Sequence, residues 1–269
     1  LLRDNLITEL PPALYQLPGA NGDGFDLTNN PLSEATLERL KAYWQRTGSD
    51  LGASAAPTDI EHALALYPGL DSVEASHLIF ALPGTLAEGR VELARRQTEL
   101  GRLIDDLDAW VADISHHPTT GEPLEAAARA QEQERRRAFK DSLEQCWRTL
   151  PVENRFADEL SFKFNASFFG DLPVLTADFG NVLELYLSHS GPHAPRIGRF
   201  LEHFPNLNRL AIRGYRLQRI PDAIFNMRQL TALSLPECHI TLDRVSVDAL
   251  AGLHDLDSLN LRGNPLGLA

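Results

Sequence analysis

Cysteine is nearly missing from these 269 residues: Cys146 and Cys238 stand alone and far apart. That excludes a disulfide framework and a four-thiolate metal site. Positive charge is also short, with 25 Lys and Arg against 37 Asp and Glu, a formal net charge of −12. The deficit argues against a phosphate backbone or an anionic membrane as the main partner. Long apolar runs are absent, and a stretch such as Leu78–Leu82 is far too short to cross a bilayer. There is no glycine-rich phosphate loop. The chain begins at Leu1, its single Met is Met227, and no basic-then-apolar leader precedes the first motif, so a piece cut from a longer protein is expected. What remains is an ordinary globular composition, 43% hydrophobic and 23% charged.

The C-terminal third repeats itself. Leu256, Leu259, Leu261, Asn264 and Leu266 follow the pattern L-x-x-L-x-L-x-x-N-x-L. Leu230, Leu233, Leu235, Cys238 and Ile240 follow it again, as do Leu207, Leu210, Ile212, Tyr215 and Leu217, then Val182, Leu185, Leu187 and Ser190. A weaker copy runs through Glu159, Phe162, Phe164 and Ser167. The slot residues 167, 190, 215, 238 and 264 are spaced by 23, 25, 23 and 26, the period of a leucine-rich repeat. The inner leucines alternate with period two and predict short strands whose intervening residues face solvent on a concave side. Ile197, Phe200, Leu201 and Phe204, and later Val245, Leu250 and Leu253, predict short helices on the convex returns.

The N-terminus carries the same theme in Asn5, Ile7, Leu10, Leu14 and Leu17, followed by Phe25, Leu27, Asn30 and Leu32. Ser33 then caps a helix expected to end at Gly48, and the composition of 48–57 predicts a flexible linker. Thr58 to Glu61 has capping-box spacing, and Val73–Leu82 reads as another short helix. Two long helices follow, Leu86 to Ile114 and Leu124 to Leu150. The apolar stripes through Leu103, Leu107 and Trp110 and through Phe139, Leu143 and Trp147 predict an antiparallel hairpin. The expected fold is mixed α/β: repeat solenoid segments at both ends and a central helical hairpin. The expected divisions are 1–48, a first array with its capping helix; 49–57, a linker; 58–151, a helical module; and 152–269, a second array.

No catalytic centre assembles from these residues. Cys238 occupies a turn slot and Cys146 lies on an apolar stripe, so both read as structural thiols. His116 and His117 with Asp113 lie in or beside a short polar loop, and His189 and His193 straddle Gly191-Pro192 where helical i, i+4 spacing has no meaning. The run Arg135-Arg136-Arg137, beside Glu132 and Glu134, reads as the solvated face of a helix. Binding is expected on the concave strand face, at Glu184, Tyr186, Ser188 and His189, then Arg209 and Arg213, Ser234 and Glu237, and Asn260 and Arg262, with Lys163 and Asn165 ahead of them. A tyrosine flanked by arginines is the composition of interface hot spots. The expected partner is another protein, with no metal, cofactor or nucleic acid. The competing readings are a spacer that only orients two arrays, and a thiol enzyme at Cys146 or Cys238.

The stretch from Asn5 to Gly48, including LPPALYQLP and TNNPLSEATLERLKAYWQRTG, resembles the end of the repeat array in large secreted bacterial effectors of the NEL-type ubiquitin ligase family. FFGDLPVLTADFGNVLELYLSHS and the repeats after it resemble the start and middle of such an array, and LYPGLDSVEASHLIFALPG with ELARRQTELGRLIDDLDAWV resembles the helical lead-in. The resemblance implies a non-catalytic substrate-recognition region of an effector delivered into a host cell. It implies a host protein, or the parent's own catalytic domain, as partner. The family's Cys-x-Asp nucleophile is not matched, because Cys146 precedes Trp147-Arg148 and Cys238 precedes His239-Ile240. No ligase residue carries over.

Overall fold

Alternation along the C-terminal repeats gives the strands of a computed structural model that describes residues 2–16, 26–150 and 161–267. Leu1, Leu17, Phe25, Glu159 and the stretch 152–160, on which parts of the repeat reading rest, lie outside the described residues, as do Leu268 and Ala269. The strands are β1 (Ser161–Ala166), β2 (Glu184–His189), β3 (Arg209–Arg213), β4 (Ala232–Ser234) and β5 (Ser258–Asn260). They form one parallel sheet in chain order. Parallel neighbours need a crossover on each return. Here the returns include 3₁₀ turns at Phe200–His203 and Asp222–Asn226 and a helix at Arg244–Ala251. Leu185, Leu187, Leu210, Ile212, Leu233 and Leu235 are all buried between sheet and returns. Phe179 stacks on Phe204 at 4.9 Å between ring centres, and Phe200 meets Phe204 edge-on.

Where the slot residue is Asn, its side chain holds the turn. Asn264 donates through Nδ2 to the carbonyls of Leu261 and Leu235 at 2.9 and 2.7 Å, while its Oδ1 accepts from the N–H groups of Cys238 and Ile240, both at 2.9 Å. One side chain thereby satisfies the backbone of two successive turns. Asn30 makes three of the four corresponding bonds: Nδ2 to the carbonyls of Leu27 and Leu2 at 2.9 and 2.7 Å, and Oδ1 from Ile7 N–H at 3.2 Å. The residue before the slot is left-handed at Asp4, Asn29, Gly214, Glu237 and Gly263. At Gly263 a Cβ would lie 3.0 Å from Glu237 Cγ, so glycine suits that turn twice over. Tyr215 and Cys238 fill their slots differently, since both are fully buried.

Six α-helices are present among the described residues: α1 (Glu34–Thr47), α2 (Pro57–Leu66), α3 (Ser72–Ala81), α4 (Leu86–Ala112), α5 (Ala126–Trp147) and α6 (Arg244–Ala251). Two compact units divide within α4, between Thr98 and Glu99. In the second unit, α5 packs on β1, the first strand of the sheet. Phe139 of α5 meets Phe164, Phe168 and Phe200, and Trp110 of α4 meets both Phe139 and Phe168. Contacts between α4 and α5 run in opposite chain order, with Trp147 bonded to Glu99, Lys140 paired with Asp108, and Arg136 bonded to the Trp110 carbonyl. The return 171–178 is tied to α4 as well: Asp106 accepts from Thr176 N–H and Oγ, Glu99 from Asp178 N–H, and the Asp171 carbonyl from Trp110 Nε1.

Arg136 corrects the expectation of a solvated arginine run. Only Arg135 and Arg137 are exposed; Arg136 is buried over the Trp110 ring at 4.8 Å and donates to the carbonyls of Trp110, Asp113 and Phe169. Glu132, one helical turn earlier and also buried, pairs with Arg135 and accepts from Phe169 N–H at 3.2 Å. The physical reason is the tight turn Phe168–Gly170, whose backbone groups point at α5 and find partners there. Burial pulls Arg136 below the usual guanidinium range, against the nearby carboxylates Glu132, Asp113 and Asp171. Gly170 is left-handed, and a Cβ on it would stand 2.9 Å from Arg136 Nη2.

In the first unit, α1 starts at the expected cap, with Ser33 Oγ accepting from Thr36 N–H, and ends at left-handed Gly48. α2 begins two residues earlier than expected: Pro57 opens it and Ala56 makes no side-chain cap, so Thr58 sits inside the helix. The capping box belongs to α3, where Asp71 and Glu74 bond reciprocally. The segment 48–57, flexible by composition, is packed: Leu51, Ala53 and Ala55 are buried, Leu27 N–H donates to Gly52, and Ala55 N–H donates to Ser76 Oγ. Arg90 of α4 joins three helices by bonding both oxygens of Asp59 and both of Glu34.

Candidate functional site

The parallel register sets side chains on the open face of the sheet in rows. One row is Ser161, Glu184, Arg209, Ala232 and Ser258; the next is Lys163, Tyr186, Ala211, Ser234 and Asn260; the third begins Asn165, Ser188 and Arg213. Of the expected site residues, the sheet thus brings together Glu184, Tyr186, Ser188, Arg209, Arg213 and Asn260. Arg262 follows β5 at the offset that Arg213 has from Arg209. Glu237 lies in the turn after β4 and reaches Arg213, with Oε1 3.6 Å from Nη2.

His189 does not belong to this face. It ends β2 in the phase of buried Leu185 and Leu187, and its ring is taken up by the backbone. Nδ1 lies 2.9 Å from the Ala166 carbonyl and Nε2 3.0 Å from that of Gly191. Strand alternation was the available signal, because 184, 186 and 188 share a parity that 189 breaks.

Tyr186 sits at the centre of the rows. Its hydroxyl is 3.5 Å from Glu184 Oε2, and Lys163 Nζ is 5.7 Å from its ring centre, a cation–π contact. Arg209 Nε stands 3.6 Å from Glu184 Oε1. Polar bridges complete the surface: Asn165 with Ser188 and Ser190, and Asn260 with Ser234. Toward β5 the floor is made of Ala211, Ala232, Ser234 and Ser258. These small side chains leave Tyr186, Arg209 and Arg213 standing above them. Ion pairs as exposed as Arg209–Glu184 and Arg213–Glu237 hold their arginines weakly, by about 0–1 kcal/mol. The guanidinium groups therefore remain free to serve a partner.

The chemical alternatives fare differently. Burial pushes both thiols up, Cys146 strongly, and Cys238 Sγ donates to the Ile212 carbonyl at 3.2 Å. A buried thiol held in its protonated form is a poor nucleophile. His117 Nδ1 accepts from the N–H groups of Thr119 and Thr120, and its ring packs on Phe169 and His193. Among the described residues no group of three or more His, Cys, Asp or Glu is placed to hold a metal, and no helix is long and apolar enough to cross a membrane.

Residues 205–266 match the family model for the leucine rich repeat. The match runs from the approach to β3 through the turn after β5, so this part of the chain is a leucine-rich repeat region, an architecture associated with protein interaction. No curated protein matches the chain.

Proposed function

We propose that the chain is a non-catalytic protein-recognition module whose binding surface is the open face of the β1–β5 sheet. The observation that carries this reading is the arrangement around Tyr186: a rigid strand platform, one central aromatic ring, and arginines projecting over a floor of alanine and serine. Strands in one sheet fix the backbone positions of such side chains before binding, and Tyr and Arg are the residues that dominate interface energies. The helices have a different role in this proposal. Through Trp110, Phe139 and Arg136, α4 and α5 cover the first repeat and take the place of a preceding one.

The Asn30 hydrogen bonds and the left-handed Asp4 and Asn29 support reading residues 2–16 and 26–30 as turns of a first repeat array, so that one array precedes the helices in the chain and one follows them. The parent in this proposal is a secreted bacterial effector related to NEL-type ubiquitin ligases, working in a host cell with its catalytic cysteine elsewhere. That parentage is supported by the resemblance of residues 5–48 and of the helical span. The experiment is retention of proteins from a eukaryotic cell lysate on the immobilised chain and on a Tyr186→Ala, Arg213→Ala, Arg262→Ala variant. A retained protein that the folded variant releases supports the reading; identical retention by both contradicts it.

A further inference from the structure

The charges on the open face do not cancel. Lys163, Arg209, Arg213 and Arg262 stand against Glu184 and Glu237, a surplus of two positive charges on a chain whose formal net charge is −12. Arg209 and Arg213 have carboxylate neighbours at 3.6 Å, whereas among the described residues Lys163 and Arg262 are in no ion pair. The two uncompensated cations mark opposite ends of the sheet, β1 and the turn after β5. Four strand intervals separate them, roughly 19 Å at the spacing of adjacent strands. An extended chain covers that distance with about six residues. Between the ends, the row Lys163, Tyr186, Ala211, Ser234 and Asn260 falls from a bulky ring to small side chains.

Resting on the reading of this face as the binding surface, we infer that its occupant is an extended acidic segment of a partner protein, lying across the strands. Carboxylates of the segment meet Lys163 at one end and Arg262 at the other, and a side chain between them packs against Tyr186 over Ala211. Electrostatic complementarity of this kind sets register and association rate. The face is a local positive field: screening confines interactions between exposed charges to about 8 Å at physiological salt, so the acidic remainder of the chain weighs little on a short peptide. A nucleic acid strand extends well past the face and meets the surrounding negative charge. It also finds, among the described residues, a single aromatic ring on the face, where strand binding uses several.

The test is fluorescence anisotropy with labelled octaglutamate, octalysine and a single-stranded oligothymidylate on the intact chain, repeated with Lys163→Glu, Arg262→Glu. Both substitutions are on exposed side chains, and an unchanged thermal melt verifies the fold. Octaglutamate is expected to bind at physiological salt, to weaken as salt rises further, and to lose at least tenfold in affinity on the double variant, while octalysine does not bind. Failure of octaglutamate to bind at physiological salt, equal binding by the variant, or tighter binding of the oligothymidylate overturns the inference. A lysate protein lost with Tyr186→Ala yet retained by Lys163→Glu, Arg262→Glu keeps the surface and discards the acidic segment. Retention that neither variant changes discards the surface itself.

Discussion

Two side chains carry more of the structure than their residue types suggest. Arg136 serves three carbonyls from inside the helix–sheet contact, so Arg136→Ala strands those carbonyls and leaves Glu132 buried. A loss of about 1–3 kcal/mol is expected, the cost of leaving buried carbonyls without a donor. Its neighbour Arg137 makes one exposed pair with Glu134, so Arg137→Ala should stay within about 0.5 kcal/mol, and urea unfolding of the two variants separates the cases. The sequence could not tell these arginines apart, because the groups that pull Arg136 inward, at Trp110, Asp113 and Phe169, are all more than twenty residues away in the chain. Asn264, in contrast, was legible as a turn slot, and Asn264→Ala is expected to cost about 1–3 kcal/mol by unpairing backbone groups on two turns. The buried thiols add a pH dependence. Burial holds Cys146 and Cys238 above their ordinary 9.0, so the folded chain keeps protons that the unfolded chain gives up. Their contribution is complete below about pH 9 and is lost as pH rises, and urea midpoints should fall from about pH 9 upward. A Cys146→Ala, Cys238→Ala chain should show a shallower fall.

At the scale of elements, periodicity gave away whatever is governed by neighbours in sequence. The strands follow the alternation of leucines, and α1, α3, α4 and α5 fall within a few residues of their expected bounds. Legibility failed where packing overrode composition. Residues 48–57 look like a linker because Gly, Ser and Ala are small, yet the same smallness lets Ala53 and Ala55 pack tightly and brings the Gly52 carbonyl to Leu27 N–H. The candidate surface was legible to the degree that strand parity was respected, and His189 departed where parity was broken. The helices are a cap in this account, and their apolar stripes matter for stability and leave recognition untouched. Leu103→Ala removes a fully buried side chain of α4 and should cost about 2–5 kcal/mol in chemical denaturation. At a temperature where the variant remains folded, its affinity for whatever the sheet binds should equal that of the unaltered chain.

For the whole molecule, the division at Thr98 and Glu99 places the sheet, its aromatic core, α5 and the C-terminal part of α4 in one unit. The contacts that cap β1, from Trp110, Phe139, Glu132 and Arg136, all arise inside it. Residues 99–269 expressed alone should therefore unfold cooperatively with the near-ultraviolet signature of packed aromatics; a non-cooperative melt would show that the boundary within α4 is misplaced. The central claim is that recognition belongs to the open face of the sheet and not to its returns. The most direct measurement places a photo-crosslinking phenylalanine derivative at Tyr186, or at Val174 on the first return, which is 81% exposed and thus more accessible than Tyr186. With a protein captured by the intact chain, the account predicts a crosslink from position 186 and none from position 174. A crosslink from 174 with none from 186 would contradict it.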